Sequence, residues 1–149
     1  MNEVTVERTV AAPPERVFAA SIDVPRWPEI VPAIQKVELL SSGPVGVGTR
    51  FRETRLFFGR EATETMEVLE FEPPRRYLLG AESHGSRYRT EFRFEPEGAG
   101  TRVVFTFRAE PLTFGAKVMG VLMKPMLKKM VAMCAADLDA LKAHVEGRG

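Results

Sequence analysis

From Ile34 to Ala109 the chain reads almost throughout as strand. Turn residues punctuate it at Ser42-Gly43-Pro44, Phe58-Gly59, Pro73-Pro74, His84-Gly85 and Glu97-Gly98. A strand sends successive side chains to opposite faces, so this stretch predicts six strands joined by hairpins. Two of the hairpins can be registered by arithmetic. A two-residue turn at Phe58-Gly59 pairs residues whose numbers sum to 117, so Arg50 faces Glu67, Arg52 faces Thr65 and Phe51 faces Met66. A two-residue turn at His84-Gly85, where both residues tolerate positive φ, gives a sum of 169. Glu82 then meets Arg87 on one face, while Ala81 meets Tyr88, Leu79 meets Thr90 and Tyr77 meets Phe92 on the other. A slip of one residue would turn the charges inward. The predicted sheet is therefore antiparallel, with an aromatic-rich inner face and a charged outer face. Val103, Phe105 and Phe107 continue the inner face, and Arg102, Thr106 and Arg108 the outer one.

The flanks complete the pattern. Val4, Val6, Arg8 and Val10 alternate with Glu3, Thr5, Glu7 and Thr9, a seventh strand that is half-buried. Pro13 and Pro14 stop it, and Pro14 suits the first turn of a helix that runs to about Ser21. Asp23 stands where it would cap a second helix, which Pro25, Pro28 and Pro32 hold to a turn or two. A segment this rigid, with Trp27 at its middle, is expected to close one end of an apolar cavity. The C-terminal part is helical. Met119, Met123, Met126, Met130 and Met133 form one apolar stripe, and Leu127, Val131, Cys134, Leu138, Leu141 and Val145 a second about 100° away. Pro125 should kink or restart this helix.

Composition bounds the function. A length of 149 residues suits one domain, 1–149, with a substantial core. The formal net charge of +1 gives no global field toward DNA, RNA or an anionic membrane, so no nucleic-acid partner is expected. Cys134 is the one cysteine, which excludes an internal disulfide and a thiolate zinc site, and His84 and His144 lie too far apart for a metal constellation. The N-terminus lacks a signal-peptide layout, and the longest apolar run, Val118 to Met123, is broken by Gly120. The expectation is a cytoplasmic protein, monomer or homodimer, without an integral membrane segment, metal or cofactor. No serine lies in a nucleophile elbow, and "GPVGVG" is a turn between strands rather than a phosphate loop.

The element order, together with the phrases "AAPPERVFAASIDVPRWPEIVP", "GVGTRF", "EVLEFEPPRRY" and "CAADLDALKAHVE", resembles the START/Bet v 1-like (SRPBCC) superfamily, in particular its polyketide cyclase/dehydrase-like branch. The resemblance covers nearly the whole chain. It implies an α+β helix-grip fold: a curved seven-stranded antiparallel sheet wrapped around a long C-terminal helix, with two short helices between strands 1 and 2. It also implies a cavity between sheet and helix, but no shared catalytic signature.

Candidate residues follow from the inner face. A small apolar ligand, lipid-like, aromatic or polyketide-like, would meet Phe51, Met66, Phe92 and Phe105 on the sheet and Met119, Met123, Met126 and Met130 on the helix. Methionine makes an adaptable wall and equally an ordinary core filler. Tyr88 and Thr90 supply hydroxyls, and Trp27 is either a packing residue or a gate. The 117 register puts Glu53 opposite Glu64 on the inner face, where Arg55 also lies. Two facing carboxylates require a shared proton or a shared Arg. They are the candidate acid/base pair of a cyclase or dehydratase, unless sheet twist brings them to solvent beside Arg52, Arg55 or Arg60. A third possibility is a protein- or membrane-interaction module using Lys117, Lys124, Lys128 and Lys129, a charge run that equally suits a solvated face.

Overall fold

Seven strands pair in the order β1-β7-β6-β5-β4-β3-β2, all antiparallel. They are β1 (Asn2–Val10), β2 (Ile34–Leu39), β3 (Arg50–Phe57), β4 (Arg60–Glu72), β5 (Arg76–Ser83), β6 (Ser86–Glu97) and β7 (Gly100–Pro111). The computed structural model describes residues 2–57 and 59–147. Both predicted registers are observed: Arg50 pairs with Glu67 and Phe51 with Met66, and Glu82 pairs with Arg87 and Tyr77 with Phe92. His84 and Gly85 adopt φ of 51° and 76°, the left-handed pair that lets a two-residue turn match strand twist. Phe58, placed in the other turn, lies outside the described residues. The last hairpin turns at Gly98-Ala99, one residue later than expected, because Glu97 still pairs with Gly100.

Between β1 and β2 lie α1 (Pro14–Ser21), a 3-10 turn (Val24–Arg26) and α2 (Trp27–Ile30). Pro14 occupies the first turn of α1, where its missing N–H costs nothing. The C-terminal helix is interrupted at Pro125, as a missing donor requires: α3 (Phe114–Leu122) gives way to a 3-10 turn (Lys124–Met126) and then α4 (Leu127–Val145). Thr113 caps α3 by accepting from the Ala116 N–H at 3.1 Å.

The core lies at one side of the sheet. Val17 and Phe18 of α1 pack with Tyr77, Phe94 and Val103, and with Cys134, Leu138, Leu141 and Val145 of α4. Phe18 meets Phe71, Tyr77 and Phe94 at 5.6, 5.8 and 5.3 Å between ring centroids. The second half of α4 is tied to β1 through Arg8 to Asp139 at 2.6 Å, Lys142 to the Thr9 carbonyl, and Glu146, which accepts the Ala11 N–H at 2.8 Å. Arg8 is thereby explained: it points to the helix side and its guanidinium reaches a carboxylate near water. The outer face carries a lattice of ion pairs, such as Arg76 with Glu70 and Glu91, and Arg102 with Glu7 and Glu95. Two open depressions lie on this face: one of about 230 Å³ is lined by charged side chains, and one of about 350 Å³ by a mixture of charged and uncharged residues.

Candidate functional site

The inner face is not covered evenly. On β1, and where α1 and α2 overlie the sheet, it is buried. Toward the middle of β4 to β7 it is not: Met66, Ala81, Tyr88, Thr90, Phe92 and Phe107 remain half-buried although all point to the helix layer. The cause lies in the helices. α4 is anchored at its C-terminal half, and α3 follows β7 and starts beside the β5–β6 hairpin. None of the residues of α3 is buried. A partly covered stretch of the inner face, the candidate cleft, therefore faces the start of the helical segment.

The floor of this cleft carries two unpartnered hydroxyls. The Tyr88 ring stacks on Phe107 at 5.8 Å and 20°. Neither the Tyr88 phenol nor the Thr90 hydroxyl has a hydrogen-bond partner among the described residues. Tyr77, two rungs along the same face, differs entirely. It is fully buried, and its hydroxyl meets Ser21 Oγ at 2.6 Å. Burial pushes its ionisation well above the usual range.

At the β3 side the cleft ends in a charged cluster. Arg55 donates from Nε to Glu53 Oε1 at 2.7 Å and from Nη1 to Asp137 Oδ2 at 3.0 Å. Glu53 is buried, and burial raises its carboxyl above the ordinary range against the opposing pull of Arg55. The same balance raises Asp137. One guanidinium thus faces two carboxylates, so the cluster carries an excess of negative charge that favours proton uptake by either carboxyl. Glu64 stands directly opposite Glu53 in the register, and its Oε1 accepts from the Ser83 hydroxyl at 2.9 Å. Cys134, a turn before Asp137, has its thiol pushed up to about 11, chiefly by burial and then by Asp137. A thiol held so high is a poor nucleophile.

Asp137, Ser83 and the Ser21–Tyr77 bond escape the sequence reading. Asp137 had a usable signal: it lies seven residues after Met130 and four after Met133, so the helical period puts it on the methionine face. Ser83 had none, because its role depends on a cross-strand neighbour.

The predicted ligand-binding residues do not all come together. Met66, Tyr88, Thr90 and Phe92 come together on the cleft floor, and Met123, Met126 and Met130 are half-buried along the helical segment. Trp27, Phe51 and Phe105 are buried in the packed core. The Trp27 indole stands edge-on to Phe51 at 5.2 Å and donates its N–H to the Ser21 carbonyl at 2.9 Å. Met119 is more than half exposed, at 56%, and Arg55 is held in the charged cluster. Among the described residues no three His, Cys, Asp or Glu side chains converge as a metal site requires, and no helix is long and apolar enough to cross a membrane.

Comparison with known proteins fits this geometry. The profile described as "Polyketide cyclase / dehydrase and lipid transport" matches residues 1–146. The chain belongs to this family. Among solved structures, this member of the polyketide cyclase/dehydrase family is similar to TTHA0849 from Thermus thermophilus. That match has 28% identity and a TM-score of 0.81, and covers 98% of each chain. It is similar also to the Zhui aromatase/cyclase from Streptomyces sp. R1128, with 25% identity, a TM-score of 0.80, and 99% and 94% coverage. Ara h 8.0201 shares the fold at 17% identity and a TM-score of 0.71, with 98% of each chain covered. No curated protein matches the chain.

Proposed function

We propose that this chain binds a small apolar ligand, aromatic, polyketide-like or lipid-like, in the cleft between the inner sheet face and the C-terminal helices. The observation that carries the reading is the incomplete burial of Met66, Tyr88, Thr90 and Phe92 at the centre of a sheet face that points toward helices. Covering about 200 Å² of such apolar surface contributes roughly 5 kcal/mol. The free hydroxyls of Tyr88 and Thr90 then orient polar groups of the ligand. The methionines adapt to its outline. The family description and the aromatase/cyclase relative support the same ligand class. Titration with a neutral polycyclic fluorophore tests this. One saturable site per chain is expected, abolished by Thr90→Trp, which fills the cleft floor. Absence of saturable binding, or binding that Thr90→Trp leaves unchanged, defeats the reading.

A second reading, a cyclase or dehydratase, is favoured by one observation: Glu53 is a buried carboxyl held above its ordinary range beside Glu64, Arg55 and Asp137. A carboxyl whose hold on its proton is strengthened by burial is a candidate general acid. With a poly-β-ketone substrate, Glu53→Gln and Glu64→Gln should each abolish turnover while fluorophore binding persists. Full turnover in both variants sinks this reading and leaves the binding role standing.

A further inference from the structure

We propose that the outward face of α3, continued onto the start of α4, docks on an anionic lipid bilayer. Phe114, Val118, Val121 and Leu122 recur at helical spacing and so share one face. That face is turned to water, with exposures of 81%, 43%, 61% and 66%. The opposite side of α3, Ala116, Gly120 and Met123, is half-buried, and Ala116 lies beside the β5–β6 turn. Leu127 and Val131 extend the exposed apolar surface into α4. Apolar patches of this extent mark interaction surfaces.

Charge selects the occupant. Lys117, Lys124, Lys128 and Lys129 are exposed around the patch, and none has an ion-pair partner among the described residues. No Asp or Glu occurs between Glu110 and Asp137. A second copy would bring the same lysines against each other across a two-fold axis, which repels. An acidic soluble protein answers the lysines but not the aliphatic face. A bilayer answers both, with headgroup phosphates for the lysines and the acyl boundary for Phe114 and Leu122. The near-neutral net charge of the chain is no obstacle, because at physiological salt a charge is felt over about 8 Å and the local surface decides.

Vesicle sedimentation tests the proposal. The chain should pellet with phosphatidylcholine vesicles containing phosphatidylglycerol and stay in solution with phosphatidylcholine alone. Binding should fall about fivefold for each lysine replaced by Gln, and should weaken with added salt. Leu122→Glu should abolish it without changing the melting temperature or fluorophore binding, since Leu122 lies outside the cleft floor. No pelleting with either vesicle overturns the proposal. So does pelleting unaffected by Leu122→Glu, or a concentration-dependent dimer that Leu122→Glu dissolves in a chain that ignores vesicles. Because fluorophore binding is read separately, docking and the cleft can fail independently.

Discussion

Tyr77 and Tyr88 stand on the same sheet face, yet one is structural and the other is available to a ligand. The difference is what covers them. α1 brings Ser21 and Phe18 onto Tyr77, so its phenol is sealed and bonded. Tyr88 is only half-buried, and among the described residues its hydroxyl has no such partner. Glu53 and Asp137 show the same dependence on cover. Burial raises both carboxyls, and Arg55 only partly offsets it. Each therefore binds a proton more readily folded than unfolded. The stability linked to that proton is present below the ordinary carboxylate range, near pH 4, and is lost as pH rises through the raised values. Glu53→Gln removes one of these groups. Urea unfolding over a pH series from about 4 to 7 should show a shallower decline in the variant than in the wild type. Equal slopes would mean that Glu53 titrates as an exposed side chain does.

At the scale of elements, the β5–β6 hairpin is also the seat of α3. Gly85 has φ of 76°, and a Cβ there would lie 2.6 Å from Thr113 Oγ1, the atom that caps α3. Gly85→Ala should cost about 2 kcal/mol, roughly half from left-handed backbone strain and half from the lost cap. Gly59 supplies the control, with φ of 80° and open space around its missing Cβ. Gly59→Ala should cost only the backbone share, about 1 kcal/mol. Denaturant titration of the two variants separates these contributions, and equal losses would show that hairpin and helix are not coupled.

Across the whole molecule, the helical layer is anchored at one end and unsupported at the other. Leu138, 2% exposed, belongs to the packed core, whereas Leu122 is exposed to water. Leu138→Ala should destabilise by about 3 kcal/mol, as cavity-forming changes in cores do. Leu122→Ala should change stability by less than about 0.5 kcal/mol. Thermal unfolding of both variants measures the contrast, and a large loss at Leu122 would mean that α3 closes on the sheet in solution.

Alternation and turn chemistry alone determined the antiparallel sheet, both hairpin registers, the proline-limited helices and the helix restart at Pro125. These are local or nearest-neighbour properties, set by a side-chain period of two and by backbone angles that few residues tolerate. The register arithmetic also put Glu53 opposite Glu64. What lay beyond reach was cover: which stretch of the inner face a helix seals and which it leaves open. Phe51 and Phe92 carry the same side chain on the same face, yet the first is sealed beside Trp27 and the second borders a cleft. Likewise, Asp137 joins Arg55 only because α4 crosses the sheet where it does. Such contacts join residues far apart in the chain, and only the packing of helices on the sheet decides them.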